Sequence, residues 1–266
     1  MSRPPVIAGA VILLVFATCA ALAPWIAPRD PARQDLPRAL EGPSAGHPLG
    51  QDRLGRDVLA RLVYGARVSL SVGFAVVAVS LAIGLLLGSL AGYFGGLVDA
   101  GIMRIVDVLL SFPGILLIIA IAGVLGPSLR HVVLALAVLG WTGFARLVRG
   151  QILSLREREF ILAARAIGAG PARIIVRHLL PNLMGPVIVQ ATFGIAGVIL
   201  AESSLSFLGL GPQDVPTWGR MLQEGTDYLL FAPHLSIFPG LAIALTVLAF
   251  NFLGDGLRDR LDPKTR

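Results

Sequence analysis

The chain has 266 residues, of which 55% are hydrophobic and only 14% charged, with a formal net charge of +6 and a mean hydropathy of +0.80. Soluble domains carry about 25% charged residues, so an ordinary water-soluble globular fold is excluded. The apolar residues form continuous blocks rather than an alternating pattern, which argues against a membrane β-barrel and leaves an all-α, polytopic membrane bundle, because lipid offers no partner to unpaired backbone groups.

A spanning helix needs roughly 20 mostly apolar residues. The blocks that qualify are Val6 to Ala27, Ser69 to Gly92, Ile102 to Leu125, Val132 to Leu147, Pro186 to Phe207 and Leu235 to Leu253, which predicts about six transmembrane helices. In the first block, Ala21-Leu22-Ala23 imitates a signal-peptide cleavage site. Pro24 would follow the cut directly, and the apolar stretch exceeds the usual 7–15-residue core. The block is therefore read as a retained anchor. Cys19, the one cysteine, lies within it and can form no internal disulfide or cysteine metal cluster.

Residues 1–68 are expected to comprise this anchor helix and an external linker, and residues 69–266 the main transmembrane domain. In the linker, Gly42-Pro43-Ser44-Ala45-Gly46 matches the hydrolase nucleophile pattern and His47 follows it. That elbow requires a strand entering and a helix leaving; here the surroundings are rich in proline and glycine, so the segment reads as a turn and no catalytic residue is assigned. His47, His131, His178 and His234 never pair at metal-ligand spacing, so no metal site is expected.

The second block carries Gly84, Gly88, Gly92 and Gly96 at four-residue spacing. On a helix they make a smooth stripe that lets a neighbouring backbone approach, a packing seam within the subunit or against a partner. The third block contains Asp107 and Pro113, and the fifth contains Glu202 followed by Ser203, Ser204 and Ser206. Ionisable groups at membrane depth are costly, so Asp107 and Glu202 are candidates for a transport pathway or for a structural interhelix bond.

Basic residues set the expected orientation. Arg146, Arg149, Arg156, Arg158, Arg165, Arg173 and Arg177 cluster around the segment between the fourth and fifth blocks, and Arg258, Arg260, Lys264 and Arg266 lie near the C-terminus. The positive-inside rule then places both termini in the cytoplasm. The linker opposes this, with Arg29, Arg33, Arg38, Arg53, Arg56, Arg61 and Arg67 on the face expected to be external. The net positive charge is read as this loop asymmetry and not as nucleic-acid binding.

The segment 149–185 is expected to form a cytoplasmic loop with a helix, a break and a second helix. Leu155 to Ile167 places Phe160, Ala163, Ala164 and Ile167 at i, i+3, i+4 and i+7, one face of the first helix. Gly168-Ala169-Gly170-Pro171 supplies a glycine cap and a proline start, and Pro181 is expected to stop the second helix. A helix with small residues on one face, turned at the membrane surface, suits docking into a partner's groove. A phosphate-cradling loop needs Gly-x-x-x-x-Gly-Lys-Ser/Thr, and the sole lysine, Lys264, follows Leu261-Asp262-Pro263. If transport is ATP-driven, another polypeptide is expected to supply the ATPase, and no cofactor is assigned to this chain.

The run Glu159-Phe160-Ile161-Leu162-Ala163-Ala164-Arg165-Ala166-Ile167-Gly168, followed by His178-Leu179-Leu180-Pro181-Asn182, resembles the EAA loop of ABC-importer permeases. In that family the loop forms the coupling helix that contacts the ATPase. The resemblance carries the coupling role over to Ala163, Ala164, Gly168, Leu180 and Pro181, and Phe160 on the same helix is expected to share it; Leu162 stands where the family motif has Glu, and His178 where it often has Ile. His47-Pro48-Leu49-Gly50-Gln51-Asp52-Arg53-Leu54-Gly55-Arg56-Asp57, Tyr64-Gly65-Ala66-Arg67-Val68-Ser69-Leu70, Leu205 to Gly211 and Pro216-Thr217-Trp218-Gly219 resemble dipeptide and oligopeptide permeases.

The resemblance implies a type I importer fold and a permease subunit for dipeptides or oligopeptides, with nickel complexes or another small solute as the alternative. It also implies a second homologous permease, two ATPase subunits and an external solute-binding protein, which the segment Gly209 to Tyr228, expected to be irregular, would face. The rival readings are an ion-coupled secondary transporter working through Asp107 or Glu202, and an intramembrane hydrolase using Ser44.

Overall fold

The computed structural model describes residues 3–261, so Lys264 and Arg266 lie outside the described residues. In chain order the helices are α1 (Arg3–Ala21), α2 (Ala23–Ile26), α3 (Val58–Phe94), α4 (Gly96–Leu110), α5 (Gly114–Leu125), α6 (Leu129–Leu155), α7 (Glu159–Ala166), α8 (Pro171–Ile174), α9 (Leu180–Phe207), α10 (Trp218–Thr226) and α11 (His234–Leu261). Among the described residues, five helical runs are long and apolar enough to cross a membrane, and the bent pair α4–α5 makes a sixth if it counts as one span.

Where the helices begin and end departs from the apolar blocks for identifiable reasons. Helix α3 starts at Val58, capped by the Asp57 carboxylate, which accepts from the Ala60 N–H at 2.8 Å. The boundary expected at 68/69 therefore falls inside α3. The third block is not one straight helix: α4 and α5 meet at 85°, and Pro113, at the N-cap of α5, disfavours helical geometry at Phe112.

The expected stop at Pro181 does not occur. A π-helical turn over Ile175–Leu179 joins α8 to α9, with the Leu180 N–H donating to the Ile175 carbonyl, and the helix runs from Pro171 to Phe207. The wider turn sets Pro181 in the first turn of α9, where a missing N–H costs little. Leu155, expected to open the coupling-loop helix, instead ends α6, and α7 begins at Glu159. The segment Gly209 to Tyr228, expected to be irregular, contains α10, whose N-cap Thr217 accepts from the Arg220 N–H at 3.2 Å.

Contacts fix two faces of the bundle. On one, Ala23 and Ala27 pack against Ala60 and Val63 at the start of α3, and Val58 packs with Met221 of α10 and Leu235 of α11; residues 28–57 lie here, and we term it the linker face. On the other, α7 packs at the ends of α6 and α9, and Gly185 of α9 approaches Leu261 at the end of α11. The start of α1 lies beside the end of α11 through Val6 and Gly256, so both ends of the described chain sit on the α7 face.

The central core joins Leu70 and Val77 of α3 to Phe144, Ile195, Ile199, Trp218 and Phe250. Gly84, Gly88 and Gly92 bring α3 against α6: a Cβ on Gly88 would stand 2.6 Å from the Ala145 carbonyl oxygen, and one on Gly92 2.9 Å from Ile152 Cβ. Gly96 is not part of this seam. Helix α3 has ended at Phe94, and Gly96 opens α4 with free space around it.

Candidate functional site

Helix α7 has a seated face and an open one. Ile161 and Ala164 are buried in a cluster with Val148 and Ile152 of α6, Ile174 and Leu179 of the following turns, and Leu183 and Val187 of α9. Phe160 and Ile167 are 43% and 86% exposed, and Ala163 is exposed beside them. The stripe expected from Phe160, Ala163, Ala164 and Ile167 thus divides. The branched Ile161 sets the seated face and draws Ala164 inward, while Phe160, Ala163 and Ile167 point outward.

The end of α7 is fixed by a Schellman motif. Gly168 takes φ +83° at the position after the cap, the Ala169 N–H donates to the Ala164 carbonyl at 3.0 Å, and the Gly168 N–H donates to the Arg165 carbonyl at 2.9 Å. Leu180 is half-buried against the same cluster, and Pro181 is exposed.

Three further contacts tie this region to the ends of α3, α4 and α6, and local patterns in the sequence do not reveal them. The Arg165 guanidinium lies over the Tyr93 ring, 5.4 Å from its centroid. Arg156 Nη1 donates to the Gly92 carbonyl at 3.1 Å. Arg149 Nη2 donates to Asp99 Oδ2 at 2.6 Å, a pair that accounts for one charge on each of α6 and α4.

The linker face holds a buried ion cluster that answers the charge conflict in the sequence. Asp52 accepts from Arg56 Nε at 2.6 Å and from Arg61 Nη1. Glu224 of α10 accepts from Arg56 at 2.8 Å, from Arg61 at 2.6 Å and from Arg220 at 3.1 Å. Beside it Asp57 pairs with Arg29 at 3.0 Å and with His47 Nδ1 at 2.7 Å. Arg29, Arg56 and Arg61 are thus neutralised locally, which weakens their weight as orientation signals. Burial alone would raise the Glu224 carboxyl. The charge and hydrogen bond of Arg61, with the charges of Arg56 and Arg220, outweigh it and hold Glu224 below the usual carboxylate range.

Asp107 and Glu202 are not brought together. Asp107 is 59% exposed on α4 and pairs with Arg146 at 2.5 Å. Glu202 is fully buried in α9, where Ser206 Oγ donates to Oε1 at 2.7 Å and Ser69 Oγ of α3 donates to Oε2 at 3.2 Å. Gly42 to Gly46 forms an irregular, exposed stretch with no strand entering it. Nearer α7, a cavity of about 450 Å³ opens between α6, α9 and α11, lined by Leu147, Pro186, Gln190, Phe193, Arg258 and Leu261.

The family described as binding-protein-dependent transport system inner membrane component matches residues 84–266. The N-terminal transmembrane domain of oligopeptide transport permease C matches residues 1–43. The dipeptide transport system permease protein DppC of Alkalihalophilus pseudofirmus is 48% identical over 261 residues, 98% of this chain and 86% of that protein. The glutathione transport system permease protein GsiD of Pectobacterium atrosepticum is 48% identical over 263 residues, 98% of this chain and 87% of that protein. Among solved structures, an inward-facing form of the MetNI methionine ABC transporter aligns with a TM-score of 0.62 at 21% identity, over 76% of this chain and 96% of that one. That likeness concerns the fold alone.

Proposed function

Since this chain belongs to the family of binding-protein-dependent transport system inner membrane components, we propose that it is the permease subunit of an ATP-driven importer of small peptides. It works in the cytoplasmic membrane beside a second, homologous permease, two separate ATPase subunits and an external solute-binding protein. Relatives named for dipeptide and glutathione transport support a peptide cargo. The sequence contains no phosphate-cradling loop, so ATP is bound elsewhere in the assembly.

The observation that carries this reading is the two-sided build of α7. Ile161 and Ala164 hold it to the ends of α6 and α9, while Phe160, Ala163 and Ile167 leave an apolar stripe open on the bundle's basic face. An amphipathic helix presented this way lays its free side in a groove of a partner. The arginines around α7 support a cytoplasmic placement of this face, on the side of the ATPases, with both ends of the described chain beside it. The linker face, with α10, is then external and meets the binding protein.

The mechanism is alternating access between two states of the bundle. Closure of the ATPases on ATP displaces α7, the displacement passes through its buried seat to α6 and α9, and the path opens toward the binding protein. The cavity between α6, α9 and α11 is this subunit's share of the path on the cytoplasmic side.

Gly168 provides the test. At φ +83° a β-branched residue is strained whatever space surrounds it, so Gly168→Val changes the angle at which α7 is presented without filling any packed site. Uptake in membrane vesicles is expected to be lost and ATPase co-purification weakened, with the permease still inserted in the membrane. Uptake at the unaltered rate by Gly168→Val would overturn the reading.

A further inference from the structure

Helix α3 is a single unbroken run from Val58 to Phe94, free of proline. At 1.5 Å per residue its 37 residues extend about 55 Å, against about 30 Å of hydrocarbon. It therefore projects beyond the apolar layer, and both ends are tied. At the linker face Arg61, 3% exposed, joins it to Asp52 of the linker and Glu224 of α10, and the Leu62 carbonyl accepts from Trp218. Along its length the glycine seam keys it into α6. In its last turn, at the α7 face, Gly92 and Tyr93 meet Arg156 and Arg165.

The last contact differs in kind from the others. Arg165 belongs to α7 but stands off its buried seat, on the exposed side of the helix. Its guanidinium is directed over the Tyr93 ring, while the same ring packs on the cluster that seats Ile161 and Ala164. A cation held over an aromatic face tolerates sliding better than a fork of directed hydrogen bonds does, because the attraction is to the ring's broad negative face. That suits a joint between two elements that move relative to each other.

We propose that Tyr93 and Arg165 are a positioning pair, the joint through which displacement of α7 is passed to α3, and through α3 to the ion-paired cap made by the linker and α10. The proposal rests on the coupling role given to α7 above and adds a second route beside its hydrophobic seat. It assigns α3 the work of keeping the binding-protein side and the ATPase side in step. The Gly92–Arg156 bond and the Asp99–Arg149 pair brace the end of the rod.

The test uses the assembled importer in vesicles with its solute-loaded binding protein. Tyr93→Leu keeps apolar bulk against the cluster and removes the aromatic face, Arg165→Gln removes the cation, and Tyr93→Phe keeps the ring. Tyr93→Leu and Arg165→Gln are expected to retain ATPase co-purification and basal hydrolysis, while solute moved per ATP falls roughly two- to fivefold, the range matching an exposed cation–π contact. Tyr93→Phe should keep the unaltered ratio, and the double variant should be no worse than either single one, because both remove the same contact.

An unchanged ratio in Tyr93→Leu, or a double variant as poor as the product of the singles, would overturn the proposal. So would loss of co-purification in Tyr93→Leu, which would make the contact a docking or folding element. The coupling role of α7 is tested separately by Phe160→Asp: if that variant still co-purifies the ATPases and transports, the underlying reading fails, whatever Tyr93 does.

Discussion

The Trp218 indole N–H donates to the Leu62 carbonyl at 3.0 Å from a position with no exposure to solvent. The bond joins the first turn of α10 to the second turn of α3. The Phe16 ring of α1 meets the indole edge-on at 5.4 Å between centroids. One side chain thus ties three helices at the linker face. Trp218→Ala is expected to cost about 3–5 kcal/mol through the cavity it leaves, and Trp218→Phe clearly less, since most of the volume stays and a single hydrogen bond is lost. Thermal unfolding of the detergent-solubilised protein measures both; equal losses would show that the hydrogen bond and not the packing dominates.

The ion cluster around Glu224 predicts an acid sensitivity. Glu224 has its carboxyl held below the ordinary range because Arg61, Arg56 and Arg220 outweigh the effect of burial. A carboxylate with a lowered folded-state pKa contributes stability that is fully present above the unfolded value of about 4.3 and is lost as pH falls through the folded value. Stability should therefore drop on acidification below about pH 4.3, and Glu224→Gln should shallow that slope. At neutral pH the variant is expected to lose roughly 3 kcal/mol, as when one member of a buried ion group is removed. Parallel slopes for the two proteins would contradict the assignment.

The same cluster shows why part of the architecture was hidden in the sequence. The spanning helices are legible because lipid demands long apolar runs, and the helix formers ahead of Gly168 located α7, with its start expected four residues early at Leu155. The start of α3 was not legible. Arg61 and Arg67 interrupt its apolar window, and the group that makes Arg61 tolerable in a buried place, Glu224, is 163 residues away. Pro181 misled for a related reason: a local rule for ending helices was overridden by the π turn just before it. Tyr93 and Arg165 carry no local pattern at all, since only the fold brings the two together.

The seam between α3 and α6 gives a prediction with an internal control. A Cβ on Gly88 would press on the Ala145 backbone oxygen and on Val148 Cβ, at 2.6 and 2.9 Å. The backbone of a packed helix cannot yield without parting the pair, so Gly88→Ala should destabilise by about 1–3 kcal/mol. Gly150, inside α6, meets nothing within 4 Å. Gly150→Ala should be neutral or gain about 0.5–1 kcal/mol from backbone entropy. Similar melting temperatures for the two variants would argue that the helices separate more readily than the spacing of Gly84, Gly88 and Gly92 implies.

Asp107 and Glu202 separate the importer from an ion-coupled transporter. In the latter a membrane carboxylate carries the coupling ion, and neutralising it abolishes transport. Here the Ser69 and Ser206 hydroxyls donate to Glu202, and a glutamine amide can satisfy both because a hydroxyl either donates or accepts. Glu202→Gln should keep uptake within about threefold, the scale of one interhelical hydrogen bond in a membrane, whereas Glu202→Ala strands both hydroxyls and should cost about 1–3 kcal/mol of stability. Asp107 lies in an exposed pair with Arg146, so Asp107→Asn should shift stability by about 1 kcal/mol or less. Uptake by energised vesicles is expected to survive a protonophore and to stop when ATP is removed. If Glu202→Gln abolishes transport, or uptake follows the ion gradient instead of ATP, the carboxylate carries the coupling ion and a separate ATPase is not the source of work.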